Sequence, residues 1–405
     1  MAFEQDARKN FPEWPQLDED DYAAVKSVLD SGNLWCGAPA VHKGENVWAF
    51  LEEFAEFCGA KHCIAVTNGT HAIEVALMAL GVGLGDEVIV SDYTFVASGS
   101  AVVGVNAVPI FCDIRPDTFN MDESLIESLI TDRTKAIVPV HLGGMPCDME
   151  RIMEIAREHD LAVVEDCAHS HGSRYKGKHL GNFGDCGTFS FQASKVLTAG
   201  EGGAIMCNDD DLAEKIYSVS DCGRKKGEYF YDHFRYGSNY RLGEFQAALL
   251  RSQLRKLKEW QNGLRNANAD KLRTMLDEID GITCQSKLLG TESVGQYVFP
   301  FKFDPAVSPV SKALFYEKLN DAGIPTDDCY PPLHGLQCFK EMRGLKGIDY
   351  SKANWGGKKS DDVNFPVVTS IFNHSVEFPQ ELLLVRDEED LAYIAKVVAG
   401  IMAGK

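Results

Sequence analysis

Lys195 lies in the run Ser190-Phe-Gln-Ala-Ser-Lys-Val-Leu-Thr-Ala-Gly-Glu-Gly-Gly203, just past an apolar, strand-like stretch and just before a glycine-rich turn. A lysine placed there can point into a closed site instead of out into water. Upstream, Val163-Val-Glu-Asp-Cys-Ala-His169 sets Asp166 at the end of another apolar run. An amine and a carboxylate at the ends of two neighbouring strands are the two polar anchors that pyridoxal phosphate requires. The amine condenses with the cofactor aldehyde, and the carboxylate keeps the pyridine nitrogen protonated so that the ring can accept electrons. Either residue alone would mean little; the pair in this order points to an enzyme acting on amines.

Other segments offer the remaining parts of such a site. Thr67-Asn-Gly-Thr-His-Ala72 falls between a strand and a helix, where glycine lets the backbone approach an anion and the first free N–H groups of the helix can hold a phosphate. Gly69 and Thr70 are therefore candidate phosphate contacts, although an ordinary turn with an N-cap has the same residues. Phe95, in Tyr93-Thr-Phe-Val96, could stack on a pyridine face, against the default of a core Phe. His169 could cover the same ring, against a buried histidine satisfied by backbone. Gly237-Ser-Asn-Tyr-Arg241 offers Asn239 for a phosphate and Arg241 for a carboxylate fork, or simply a polar helix start. Tyr330-Pro-Pro-Leu-His334 is a rigid turn suited to facing a substrate with Tyr330 and His334. Gly81-Val-Gly-Leu-Gly-Asp86 resembles half a dinucleotide fingerprint, but it follows a helix and reads as a helix-to-strand turn.

The elements that must position these residues form an α/β alternation from residue 60 to about 207. Strands are expected at Cys63–Val66, Glu87–Val90, Val108–Cys112, Ala136–Pro139, Ala162–Asp166, Gly187–Phe191 and Ala204–Cys207. Helical spacing of apolar residues marks Gly69–Leu80, Glu123–Ile130 and Met149–Glu158 between them. Ligands gather beyond the carboxyl ends of strands in such sheets, which is where Asp166, His141 and Lys195 fall. Leu242–Trp260 reads as one long helix joining a large domain, residues 1–260, to a smaller α+β domain, residues 261–405. In the latter, Gln296–Phe303 reads as a strand and Val310–Ala322 as a helix. The first thirty or so residues are polar and helical and could join either domain.

The 405 residues carry 45% apolar and 25% charged side chains, the balance of a soluble globular protein, and a formal charge of −20. That charge disfavours nucleic acid or an anionic membrane as a partner. The twelve cysteines show no zinc spacing and no paired motif, so no metal site is expected. Several, such as Cys112 and Cys207, end apolar runs and read as small hydrophobes. A reducing cytoplasm is the expected compartment: no signal peptide is evident, and no apolar run approaches the roughly 20 residues that span a bilayer.

Taken together, Thr-Asn-Gly-Thr, Glu-Asp-x-Ala-His, Ser-Phe-x-x-x-Lys and Gly-x-Asn-Tyr-Arg resemble the DegT/DnrJ/EryC1/StrS sugar aminotransferases, from about Leu34 to Gln253 with further support through Tyr330–His334. The resemblance implies the fold-type I architecture of pyridoxal phosphate enzymes: a large, mostly parallel sheet flanked by helices, plus a smaller C-terminal α+β domain. It implies Lys195 as the cofactor-binding lysine and Asp166 as partner of the pyridine nitrogen. Gly69, Thr70 and Ser190 would hold the phosphate, Phe95 and His169 would sandwich the ring, and Asn239 would reach the phosphate of a neighbouring subunit in a homodimer with shared sites. Lys195, Asp166 and His169 are thus the expected catalytic residues, and Gln192, Arg241, Tyr330 and His334 the expected substrate contacts. Gln192 and the run after Lys195 look like the branch acting on scyllo-inosose and related ketocyclitols and like 3-amino-5-hydroxybenzoate synthase. Departures are Gly143, where many members have tyrosine, and Ala38–Glu45, which looks longer than usual.

The expected activity is transfer of an amino group from L-glutamine or L-glutamate to a keto or aldehyde group of a sugar or cyclitol. Sugar dehydratases of this family replace the lysine with histidine, so Lys195 argues against them, while an aromatising dehydratase that keeps its lysine stays open. A non-catalytic, cofactor-binding regulator would usually carry a DNA-binding module, and this acidic chain offers none. A nicotinamide oxidoreductase fails for want of a strand-Gly-x-Gly-x-x-Gly-helix unit.

Overall fold

The computed structural model describes residues 11–36, 44–340 and 364–404. The short β-branched and apolar runs become β1 (His62–Val66), β2 (Glu87–Ser91), β3 (Val108–Cys112), β4 (Thr134–Val138), β5 (Ala162–Asp166), β6 (Cys186–Ser190) and β7 (Gly203–Cys207). They pair in the order β3-β2-β4-β5-β6-β7-β1. All neighbours are parallel except β7, which runs against both β6 and β1. β2, β3, β6 and β7 are buried along their whole length, as near-continuous apolar strands must be when helices cover both faces. The Gly69–Ala79 helix packs across β1, β5, β6 and β7.

A second, antiparallel sheet holds β8 (Ile282–Cys284), β9 (Val298–Phe303) and β10 (Ser375–Pro379), with β9 in the middle. Phe299, Phe301, Phe303, Phe315 and Phe378 form its core with side chains from the Asn262–Asp277 and Glu388–Met402 helices. The helix expected over Leu242–Trp260 does not stop there. Glu244–Lys256 is α-helical, Leu257–Gln261 is a π turn, and Asn262–Asp277 continues as helix, so a widened turn takes the place of a break. The N-terminal segment touches both cores. Phe11 packs on the second, and the Glu19–Ser31 helix lies along Glu244–Lys256 through a buried Asp21–Lys256 ion pair. Of the Ala38–Glu45 stretch, residues 38–43 lie outside the described residues.

Alternation along β5 sends consecutive acids to opposite faces. Asp166 faces the functional cleft described below. Glu165, fully buried, accepts the N–H groups of Gly181 (2.9 Å), Phe183 (2.7 Å) and Gly184 (2.8 Å) and pairs with His141 Nε2 at 3.1 Å. His141, Glu165 and Cys167 lie close enough to share a metal. Their polar atoms are otherwise engaged: His141 Nδ1 accepts the Cys147 N–H, and burial drives the Cys167 thiol far above its ordinary range. Glu165, paired with His141, is a structural clamp holding the 181–184 loop on β5. All twelve cysteines are free, Cys112 and Cys207 buried among apolar side chains. Among the described residues no helix is long and apolar enough to cross a membrane.

The Glu165→Leu variant strands three buried N–H groups and is expected to lose roughly 3–5 kcal/mol of unfolding free energy. A urea midpoint equal to that of the wild type would show that the 181–184 loop does not hang on this carboxylate.

Candidate active site

Asp166 and Ser190 end the adjacent parallel strands β5 and β6, and the turn from β6 to β7 carries Lys195. Beyond these strand ends lies a cleft of about 580 Å³, lined by Gly69, Thr70, Phe95, Asp166, His169, Ser190, Gln192, Lys195 and Tyr330, together with Ser98, Ser194 and Tyr297. The Lys195 amine is nearly out of water and lies 3.8 Å from the centre of the Tyr297 ring. Burial pushes it down to about 7, with the Asp166 carboxylate partly opposing the shift. Asp166 accepts Ser98 Oγ–H at 2.7 Å on one oxygen and the Ala168 N–H at 3.1 Å on the other.

His169 is buried with its ring against Tyr297 (centres 4.2 Å apart) and Tyr330 (5.9 Å). Its Nδ1 accepts the Gly143 N–H at 3.2 Å, which places the ring proton on Nε2, 3.4 Å from the Tyr330 hydroxyl. Burial first, then the Lys195 charge, holds the imidazole well below its ordinary range, so it presents a neutral, flat face. Gly143 has φ +65, and a Cβ there would come within 3.1 Å of the Val298 carbonyl. The tyrosine common in the resembled family has neither the backbone conformation nor the room here.

The opposite wall is the start of the Gly69–Ala79 helix. The Asn68 side chain caps it by accepting the His71 N–H at 2.8 Å. A Cβ on Gly69 would lie 2.7 Å from that of Ser190, so only glycine lets the first helical turn rest on β6. Helix-start N–H groups beside the Thr70 and Ser190 hydroxyls make a donor set of the kind that binds phosphate. With a desolvated amine and a hydrogen-bonded carboxylate in the same cleft, the residues present fit pyridoxal phosphate.

Arg241 and His334 do not reach this cleft, and Asn239, expected at a neighbouring subunit's phosphate, lies outside its own. Arg241 Nη1 pairs with Asp221 at 2.6 Å, and Asn239 is exposed and accepts the Arg241 N–H at 3.3 Å. His334 Nδ1 lies 2.5 Å from Asp92, whose other oxygen accepts the His334 N–H at 2.8 Å. With the Asp92 carbonyl on the Leu333 N–H, this buried aspartate fixes the 330–334 turn and so the place of Tyr330. Gln192 does line the cleft, with its Oε1 accepting from Ser194. Residues the sequence did not single out are Ser98, Ser194 and Tyr297, the last two joined by hydroxyls 2.8 Å apart. Their only sequence signal is position: Ser98 follows the Phe95 segment, and Tyr297 opens the strand expected over Gln296–Phe303.

In cofactor-free protein, Lys195 titrates near 7 when folded against 10.5 when not. Between those values the unfolded chain binds more protons, so this residue makes stability rise with pH. Unfolding free energy is therefore expected to climb from pH 7 to 10 relative to Lys195→Met. Parallel profiles for the two proteins would mean that the amine is hydrated.

A profile of the DegT/DnrJ/EryC1/StrS aminotransferase family matches residues 15–375. The chain is 37% identical over 418 residues to an L-glutamine:2-deoxy-scyllo-inosose aminotransferase of Streptomyces fradiae, covering 97% of this chain and 94% of that one. It is 36% identical over 340 residues to a 3-amino-5-hydroxybenzoate synthase of Amycolatopsis mediterranei, covering 83% and 86%. The crystal structure of a 3-amino-5-hydroxybenzoic acid synthase matches with a TM-score of 0.86 at 32% identity, over 98% of this chain and 99% of that one. The fold is accordingly that of fold-type I pyridoxal phosphate enzymes. By profile and by relatives matched almost end to end, the chain belongs to the DegT/DnrJ/EryC1/StrS aminotransferase family.

Proposed function

We propose that the chain uses pyridoxal phosphate to move an amino group from L-glutamine or L-glutamate to the keto group of a cyclitol or sugar, as a cytoplasmic homodimer with shared sites. The observation that carries this reading is the Lys195 amine, buried against Tyr297 and pushed down to about 7, in one cleft with the hydrogen-bonded Asp166. Bound there, the cofactor would supply an aldehyde to carry the amino group and a ring to take up electrons from the donor α-carbon. Lys195, partly unprotonated near neutral pH, is suited to attack that aldehyde and then to carry the proton to and from the donor α-carbon. Asp166 is suited to pair with the pyridine nitrogen, its direction set by Ser98 and the Ala168 N–H. Gly69, Thr70 and Ser190 would hold the phosphate, and neutral His169 with Phe95 would bracket the ring.

The charge of the lining favours an uncharged acceptor. Among the described residues around the cleft, Lys195 is the one lysine or arginine, and Asp166 and Glu201 are the acids. A nucleotide diphosphate would ask for cations there, whereas a ketocyclitol needs hydroxyl and amide partners such as Gln192, Ser194 and Tyr330. The similarity to L-glutamine:2-deoxy-scyllo-inosose aminotransferases supports the same class.

Support for the dimer comes from exposed aromatics. Tyr229, Tyr231, Phe234 and Tyr236, on the segment leading to Asn239, and Phe95 at the cleft are all about half exposed or more. Such a patch calls for a second surface, and a second copy would bring Asn239 to its neighbour's phosphate site. Free thiols throughout fit a reducing compartment.

The direct test is an absorbance spectrum of protein loaded with pyridoxal phosphate. Wild type is expected to bind the cofactor with a visible band that bleaches on adding L-glutamine or L-glutamate, and Lys195→Ala is expected not to form that band. A wild type that stays colourless sinks the reading. Loss of water from a polyhydroxylated ketone without donor-dependent bleaching would favour an aromatising enzyme, the second reading supported by the likeness to 3-amino-5-hydroxybenzoic acid synthase. Mixed Lys195→Ala and Asn239→Ala proteins, each inactive alone, should regain up to about a quarter of wild-type activity if subunits exchange and sites are shared. No recovery after verified exchange would place Asn239 outside the neighbour's site.

A further inference from the structure

Behind the turn that carries Lys195, buried polar groups gather with nothing to bond. Gln261 and Arg265 are four residues apart, on one face of the helical run that leaves the π turn. Asn268, three residues further, donates to the carbonyls of Leu383 (2.9 Å) and Val385 (2.8 Å), fixing that face against the Gln380–Leu384 turn. Gln261 and Arg265 are fully buried and Gln380 almost so. Yet Arg265 Nε, Nη1 and Nη2, and both amide atoms of Gln261 and of Gln380, have no hydrogen-bond partner. Other buried polar atoms also lack partners, but these three side chains, one of them a full guanidinium, lie on two elements that pack against each other.

We propose that Arg265, Gln261 and Gln380 form a buried binding site for one small monovalent anion, a halide or a carboxylate group, at the seam between the two cores. The guanidinium supplies one positive charge and five N–H donors, and each amide supplies two more. Among the described residues no carboxylate pairs with Arg265; Glu381 acts on it only from a distance. His171, which feels the Arg265 charge, brings no negative charge, and burial holds it neutral down to about 3. Burial also pushes the guanidinium down to about 9, but arginine does not give up its proton in a protein, so a counter-ion is the cheaper way to satisfy it. A single negative charge balances Arg265, while a dianion would leave a net charge buried.

One side of the site is closed by Trp14, whose ring centre lies 5.1 Å from the guanidinium carbon. The Trp14 indole N–H donates to the Ala193 carbonyl at 3.1 Å, two residues before Lys195, so Trp14 bridges the site and the turn that carries Lys195. Arg241, the carboxylate contact expected from sequence, is paired with Asp221, which leaves Arg265 as the guanidinium near this turn with no acidic partner. The site does not rest on the transamination reading.

Thermal unfolding of the pyridoxal-phosphate-loaded protein at constant ionic strength tests it, with sodium bromide or formate replacing sodium gluconate, an anion too bulky for the seam. Wild type is expected to show a saturable rise in Tm, as binding to the folded state requires. Arg265→Met should show none and, in gluconate, should be at least as stable as wild type. Gln380→Leu, which keeps the cation, should need several-fold more bromide for half the effect. Equal responses in wild type and Arg265→Met overturn the proposal. Should the variants fold poorly, crystals of wild type in sodium bromide decide it by themselves. An anomalous bromide peak within hydrogen-bond reach of Arg265 supports the site, and ordered water alone at that position overturns it. Loss of the peak on adding L-glutamine would identify the donor's carboxylate as the occupant, and persistence would identify a free inorganic anion.

Discussion

A primary amine kept almost out of water at the edge of a sheet sets the terms for everything around it. Water withdrawn from Lys195 costs more than its neighbours return, since the amine falls to about 7 despite the Asp166 carboxylate. The ring of Tyr297, 3.8 Å away, contributes about 0.5–2 kcal/mol as a cation–π partner, too little to restore an ordinary lysine. Desolvation therefore wins, and it wins only while the wall carrying Tyr297 stays against the strand ends carrying Asp166 and Lys195. That wall belongs to the approach to β9, in the second sheet. The environment of the amine thus depends on Tyr297, which joins the core of the large sheet although the strand it leads into belongs to the second.

The residues that touch the cleft are held by others that do not. Ser98 and the Ala168 N–H direct Asp166, the Gly143 N–H sets the tautomer of His169, and Asp92 fastens the turn that presents Tyr330. Ser98 sits in the first turn of the Ala97–Gly104 helix, while Ala168, Gly143 and Asp92 lie just beyond strand ends, where backbone and side chains are free of ladder bonds. Strand β5 shows the economy of the arrangement: Glu165 organises a loop on one face while Asp166, next in sequence, serves the cleft on the other.

What could be read from sequence follows from this division. The strands were legible because apolar, β-branched runs between turns have few other ways to fold, and the meeting of Lys195 and Asp166 in one cleft was legible because both follow such runs. Tyr297 and Ser98 were not, since their meaning lies in contacts with Lys195 and Asp166, each far away in the chain. The end of the helix expected at Trp260 was hidden because a π turn breaks no composition rule. Arg241 and His334 looked free to meet a substrate because nothing local announces Asp221 or Asp92 as their partners. Sequence shows which side chains can bond, and only the fold shows which are already bonded.

Some of the exceptions to that pairing lie together, although others, such as both ring nitrogens of His171, lie elsewhere. On the sheet side of the cleft the polar groups that matter are satisfied: Asp166, His169, Glu165 and His334 all have partners. Along the seam with the second core, Lys195 is desolvated and Arg265, Gln261 and Gln380 are orphaned, while Gly143 sits in a left-handed conformation. The seam is consequently the part of the fold with the most to gain from a ligand. A cofactor or anion that pairs these groups adds its own contacts and also removes a cost the folded chain already bears. Ligand binding at this seam and stability of the two-core assembly are therefore linked quantities, each raising the other.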